Sequence, residues 1–207
     1  MKQLMQNKIL LFDLGNILVQ LNSVDSLFKK EGQKEMLIDL FWSESKAVRD
    51  YESGRISSLK DFYKALKKEK PSVVSEFLFY DLFCKIIGDV FPNTRSLLSK
   101  LKDQYPLFLL SNTNETHWAV CRYNHQLDKY FNGVFLSYEM GAMKPDPMAF
   151  QMAIHAIGCN PQNIWYYDDR KENVKEALKQ GINAYKSFGG DPLINDLRKH
   201  GFLPEDL

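Results

Sequence analysis

Lys8-Ile9-Leu10-Leu11-Phe12-Asp13-Leu14-Gly15-Asn16-Ile17-Leu18-Val19 is the stretch that decides how this chain folds. Its first half is an apolar run with the pattern of a buried strand. The run ends in one carboxylate, Asp13, and the Gly15-Asn16 pair turns the chain directly afterwards. Open parallel sheets do their chemistry at the C-terminal ends of their strands. A carboxylate left there must be compensated by a metal, a hydrogen-bond network or a catalytic task.

Working outward, four more short apolar runs read as buried strands: residues 107–110, 133–136, 164–167 and 183–186. Helical patterns lie between them. Residues 94–104 place Leu97, Leu98 and Leu101 on one face. Residues 147–158 open with Asp146 as N-cap and Pro147 in the first turn. They carry Phe150, Ala153, Ile154 and Ile157 at helical spacing and stop at Gly158. Residues 171–180 end at Gly181 in the same way. Such alternation predicts an α/β fold with a Rossmann-like, doubly wound parallel sheet.

The rhythm breaks between Val19 and Phe91, where no buried strand is expected. Amphipathic helices are expected instead over 23–30, 34–42, 45–53, 57–68 and 72–87, punctuated by Gly54 and Pro71. That is too long for a crossover. It predicts an α-helical subdomain at 22–91, inserted into a core made of 1–21 plus 92–207.

Composition narrows the classes. A chain of 207 residues suits one α/β domain with a small insertion. A formal net charge of +1 creates no global field for nucleic acid or an anionic membrane. Cys84, Cys121 and Cys159 are too few and scattered for a disulfide framework or a zinc site. No apolar run approaches the ~20 residues that span a bilayer. The expectation is a cytoplasmic protein, monomer or weak homodimer, with no nucleic-acid or membrane partner.

Four polar groups follow strands or their loops. Asp13 ends the first strand, and Ser111-Asn112-Thr113 follows the second. Lys144-Pro145-Asp146-Pro147 comes after the third, and Asp168-Asp169 with Asn173 after the fourth. Singly, each has a plainer role: Asp13 capping a turn, Ser111 capping a helix, Lys144 in solvent, one of the paired acids capping the next helix. Together they make one site. Carboxylates from two strands suit Mg²⁺, which takes oxygen ligands. A hydroxyl and an ammonium suit a transferring phosphoryl group. Asp13 is then a nucleophile forming an aspartyl-phosphate.

With these residues in this order, the chain resembles the haloacid dehalogenase-like (HAD) hydrolase superfamily over nearly its whole length. All four motifs and the helical cap after the first motif match. Asp13-Leu14-Gly15-Asn16, Ser111-Asn112-Thr113-Asn114 and Lys144-Pro145-Asp146-Pro147 most resemble the bacterial α-D-glucose-1-phosphate phosphatase-type branch. The resemblance implies a sheet ordered 5-4-1-2-3 with Asp13 at its centre. It implies Mg²⁺ held by Asp13, the Gly15 carbonyl and Asp169, with Asp168 and Asn173 orienting that shell. It implies catalytic roles for Asp13, Ser111 and Lys144, and substrate binding by Ser111, Asn112 and Lys144. Lys144 would also moderate the charge on Asp13. The implied reaction is hydrolysis of a small phosphate ester, a sugar phosphate.

One departure matters. Most phosphatases of this superfamily carry a second Asp two residues after the nucleophile, as general acid and base. Here that residue is Gly15. Such a group contributes about 10²–10⁴-fold. Its absence fits a phosphatase of anomeric, aryl or acyl phosphates, whose leaving groups need less protonation. It also fits a haloacid dehalogenase, although those need no metal and the Asp168-Asp169 pair is retained. A third reading is a phosphate-binding regulatory protein. His117 is a candidate for the lost role, against a surface helix histidine. In the cap, Trp42, Arg49, Tyr51 and Arg55 are candidate substrate contacts, against plain packing or solvation.

Overall fold

The computed structural model describes residues 8–23, 27, 44–71 and 75–204. Five parallel strands form the main sheet: β1 (Ile9–Phe12), β4 (Leu107–Ser111), β5 (Gly133–Leu136), β6 (Ile164–Asp168) and β7 (Asn183–Lys186). Their order is β5-β4-β1-β6-β7, with β1 in the middle. Counting these five strands along the chain, this is the expected 5-4-1-2-3 order read from the other edge. β1 pairs in parallel with β4 through Leu11 and Phe108, and with β6 through Leu11 and Tyr166. The central strand therefore brings Asp13 between the ends of β4 and β6.

Side chains alternate across a strand, and both faces of this sheet are covered. Leu10 and Phe12 pack with Leu98, Leu101, Leu193 and Leu197 on one face. These leucines belong to α4 (Thr94–Lys102) and α9 (Asp191–Lys199). Leu11 packs with Phe150, Ala153 and Ala177 on the other face, from α7 (Pro147–Ile157) and α8 (Lys171–Lys179). The expected helix ends hold. Asp146 accepts from the Met148 N–H at 2.9 Å, and Gly158 closes α7 with φ 70°, a backbone state that glycine enters without strain.

The cap has its own core, apart from the sheet. Ala47, Val48, Tyr51, Phe62, Leu66, Phe79, Leu82 and Phe83 pack together. They come from α1 (Lys46–Glu52), α2 (Leu59–Glu69) and α3 (Glu76–Cys84). The helices expected over 23–30 and 34–42 fall on residues outside the described ones, apart from Ser23 and Leu27. The helix expected over 72–87 needs correction: it ends at Cys84, and the chain re-enters as β3 (Ile87–Val90). β3 pairs antiparallel with β2 (Val19–Leu21). The two connections between core and cap thus zip to one another, through a pairing across about 70 residues that no local pattern announces.

The cap docks on the core beside the second motif. Tyr51 Oη lies 2.8 Å from Thr116 Oγ1 on α5 (Glu115–Ala119). The His117 ring stacks on Phe83 at 4.2 Å, and its Nε2 lies 3.0 Å from the Phe83 carbonyl. Ser137, at the start of α6 (Ser137–Met140), donates to the Glu52 carbonyl at 2.6 Å. At Gly54 any side chain would collide, since a Cβ there would lie 2.1 Å from the Tyr138 carbonyl oxygen. Among the described residues, no helix is long and apolar enough to cross a membrane.

Candidate active site

β1 delivers Asp13, whose N–H donates to the Tyr167 carbonyl at 2.9 Å, one residue beyond the regular ladder. The residue is 8% exposed. Lys144 reaches it from the loop between α6 and α7. The ammonium lies 2.8 Å from Asp13 Oδ1, Asp168 Oδ2, the Leu110 carbonyl and Tyr166 Oη. Four oxygens thus surround three N–H bonds, and the ammonium is fully engaged. Of the two roles the resemblance implies for Lys144, balancing the charge of Asp13 is the one this geometry displays.

Asp168 is fully buried and its oxygens are saturated. Oδ1 accepts from the Arg170 N–H at 2.7 Å and from Asn173 Nδ2 at 3.1 Å. Oδ2 accepts from Lys144, from Asn173 at 2.9 Å and, in a short hydrogen bond, from Tyr166 Oη. Burial pushes the Asp168 carboxyl up, but Lys144, Tyr166 and the Arg170 N–H outweigh it and hold it below the usual carboxylate range. The same partners keep Lys144 charged: burial opposes its charge, and Asp13 and Asp168 more than offset that.

Asp13 behaves differently. Burial raises it, Lys144 lowers it and Asp168 raises it again, leaving it at about 7. A second cation beside it would favour the ionised form, which is the nucleophile. Asp13, Asp168 and Asp169 each offer an oxygen within 4.8 Å of the others. Hard oxygen donors in this number suit Mg²⁺. With Asp168 saturated, Asp13 and Asp169 carry the free capacity. Asp169 is half-buried, and its Oδ2 accepts from Asn16 Nδ2 at 2.9 Å.

Ser111 ends β4 and is 3% exposed. Asn112, expected to bind substrate, has its side chain engaged by the lysine loop: Nδ2 donates to the Lys144 carbonyl at 2.7 Å, and Oδ1 accepts from the Lys144 N–H at 2.8 Å. It fixes the loop that carries the ammonium. Among the cap candidates, Arg49 is exposed and donates to the Glu44 carbonyl at 2.8 Å. Arg55 pairs with Asp50 at 2.8 Å, and Tyr51 lies in the cap core. Trp42 falls outside the described residues.

His117 is neither a surface residue nor a replacement acid. It is 6% exposed, lies between Asn114 Nδ2 at 3.1 Å and the Phe83 carbonyl, and burial lowers it to about 4. It pins the cap to the core.

Three residues escape the sequence reading. Tyr166 stands two residues before Asp168 in β6, so strand alternation puts both on one face; that signal is present in the sequence. Asn16 reads only as a turn residue. Glu52, at the end of α1, is half-buried. Burial raises its carboxyl to about 7, against the pull of Arg170, the residue after Asp169. Among the described residues its carboxylate has no hydrogen-bond or ion-pair partner.

Comparison with known proteins agrees with this arrangement. The haloacid dehalogenase-like hydrolase family matches residues 7–181. The chain belongs to that family, and its three-carboxylate cluster has the hard oxygen donors that a divalent cation takes. A HAD family enzyme from Bacteroides thetaiotaomicron, solved with magnesium and inorganic phosphate, superposes with TM-score 0.76 at 30% identity, covering 89% of this chain and 96% of that one. A predicted HAD-like hydrolase from Porphyromonas gingivalis superposes with TM-score 0.81 at 26% identity, covering 93% and 97%. Among curated relatives, a phosphorylated carbohydrates phosphatase of Thermotoga maritima is 25% identical over 67% of this chain and 59% of its own length. A D-ribitol-5-phosphate phosphatase of B. thetaiotaomicron is 28% identical over 44% and 47%. A (S)-2-haloacid dehalogenase of Burkholderia cepacia is 26% identical over 46% and 42%. The chain spans about half the length of these curated relatives.

Proposed function

We propose that this protein is a Mg²⁺-dependent phosphatase that hydrolyses a small sugar phosphate through an aspartyl-phosphate on Asp13. The observation that carries this reading is the three-carboxylate cluster, in which Asp168 is saturated while Asp13 and Asp169 retain free oxygens. Dehalogenation needs no metal and gives such a pair no task. The carbohydrate and ribitol phosphatases among the relatives support the substrate class.

In this reading Asp13, Asp169 and the Gly15 carbonyl hold Mg²⁺, which when bound neutralises charge on the phosphoryl oxygens. Ser111 binds one of those oxygens, and Lys144 keeps Asp13 ionised while Asn112, Asp168 and Asn173 hold Lys144 in place. An Asp13 oxygen attacks phosphorus, the ester P–O bond breaks, and the leaving oxygen keeps the electron pair. Water then attacks the phosphoryl group, loses a proton to solvent, and restores the Asp13 carboxylate.

The leaving-group side supports a 1-phosphate. Gly15 supplies no general acid beside the nucleophile, and its nearest neighbour there is the terminal methyl of the exposed Leu21, 2.8 Å from where a Cβ would lie. Anomeric and acyl oxygens leave without a general acid, which favours the glucose-1-phosphate-type branch. Glu52 and Arg49 are the groups proposed to read the sugar.

The test is phosphate release from glucose-1-phosphate, glucose-6-phosphate, an aryl phosphate and acetyl phosphate, with and without Mg²⁺, beside Asp13→Asn. Turnover is expected only with Mg²⁺ and an intact Asp13, with the 1-phosphate and acetyl phosphate ahead of the 6-phosphate. Halide release from haloacids without metal would replace this reading with the dehalogenase one. Phosphate binding without turnover would favour a regulatory role.

A further inference from the structure

Asn16 follows Asp13 by three residues and sits in the left-handed region, with φ 57°. Asparagine and glycine tolerate that state. Three hydrogen bonds hold the residue there. Its N–H donates to the Val19 carbonyl at 2.8 Å, and its own carbonyl accepts from the Gly189 N–H at 2.8 Å. Its side-chain amide donates to Asp169 Oδ2 at 2.9 Å, joining the turn after β1 to the turn after β6.

The third segment in this junction also requires its sequence. A Cβ on Gly189 would lie 2.2 Å from Phe91 Cδ2 and 2.6 Å from the Ile17 carbonyl oxygen. Only a glycine lets that loop come close enough for its N–H to reach Asn16. The Phe91 N–H in turn donates to the Leu18 carbonyl at 3.1 Å. The amide of Asn16 is therefore aimed by the β1 turn, the loop after β7 and the chain returning from the cap.

We propose that Asn16 is the positioning residue for the metal-binding carboxylate Asp169. This rests on the ligand set proposed above. Asp168 is held by four donor groups, whereas Asn16 is the one described side chain bonded to Asp169. By occupying Oδ2, Asn16 fixes the carboxylate where it offers an oxygen within 4.8 Å of those of Asp13 and Asp168. A neutral amide suits this task. An ammonium there would neutralise Asp169 and repel a divalent cation, and a carboxylate would repel Asp169 itself. Partners of this kind orient metal ligands, and losing one costs about 10–100-fold in metal affinity.

The left-handed backbone makes the test clean. Asn16→Gly keeps the turn and deletes only the amide, and Asn16→Asp keeps the shape but replaces the donor with a charge. Mn²⁺ is the probe, with free ion counted by electron paramagnetic resonance in the full-length protein, beside Asp169→Asn. Asn16→Gly is expected to weaken Mn²⁺ binding about tenfold and to raise the Mg²⁺ needed for half-maximal turnover by the same factor. Turnover at saturating Mg²⁺ should fall much less. Asn16→Asp should not rescue. If Asp169→Asn loses Mn²⁺ while Asn16→Gly binds it as the wild type does, the positioning role is overturned and the ligand set stands. If Asp169→Asn itself binds Mn²⁺ unchanged, the ligand set falls and this inference falls with it.

Discussion

At the sheet edge Lys144, Asp168 and Asn173 engage one another until Asp168 has no idle oxygen, whereas on the cap the half-buried Glu52 carboxylate makes no hydrogen bond or ion pair among the described residues and feels only the charge of Arg170. The two regions are thus finished to different degrees. The core side is arranged in advance of any ligand, as transition-state stabilisation by fixed charges requires. The cap side leaves an acceptor for a ligand to satisfy. Its placement still depends on the core, because Ser137 holds the Glu52 carbonyl and also accepts from the Thr113 N–H at 2.9 Å beside the second motif.

The strongest way to break this contrast is Lys144→Met. It leaves Asp13 and Asp168 facing each other without their shared cation. Losing one partner of a buried pair costs about 3–5 kcal/mol, and turnover should fall by at least about 10²-fold. Urea unfolding reads the first and phosphate release the second. Adding Asp168→Asn should recover part of the stability, because it removes the stranded charge. A single variant as stable as the wild type would show that the core side is not held by this pair.

The joint between the two sides should respond to pH. Burial holds His117 neutral down to about 4, against an ordinary value of 6.5. Between those values only the unfolded chain takes up the proton, so acid favours unfolding. The contribution is complete above 6.5 and is lost as pH falls towards 4, about 3 kcal/mol in all. Asp13 and Glu52, both raised to about 7, contribute slopes of the opposite sign there, so the difference in unfolding free energy between the wild type and His117→Gln across that window is what should show the His117 slope. An unchanged slope would assign the effect elsewhere.

The smallest effect expected is the most specific. Glu52→Gln should lower the preference for a sugar phosphate over acetyl phosphate about tenfold, the size of one charge-assisted hydrogen bond. The change should appear in KM. An unchanged ratio would remove Glu52 from substrate reading and leave the cap side without a named reader.

Several parts of this site are legible in the amino-acid order alone, for a common reason. Asp13, Ser111 and Asp168 each terminate an apolar run, so the strand that buries them also points to them. Lys144 is flanked by a proline in a loop, and its role follows once the other three are placed. The roles on the cap are not legible in that way. Arg49 and Glu52 lie on one short helix, and only the docking of α1 on Ser137 and Thr116 decides which meets the core. His117 shows the same limit: the sequence leaves open whether it faces water or the cleft, and it does neither, because Phe83 covers it. β3 escapes the pattern because Ile87 continues the apolar spacing of α3, while its pairing with Val19–Leu21 is long-range.

The sequence by itself determined the strands of the main sheet and the four motif positions, since strand burial, helix caps and glycine stops are local signals that agree; the order of the strands followed only from the family resemblance that those motifs carry. Only the tertiary structure decided that Asn112 clamps Lys144, that Asn16 grips Asp169, that the Leu21 methyl abuts Gly15, and that the Glu52 carboxylate makes no hydrogen bond or ion pair among the described residues. Those outcomes depend on where distant segments meet, and a hydrogen bond of 2.9 Å between residues 153 positions apart leaves no trace in local periodicity.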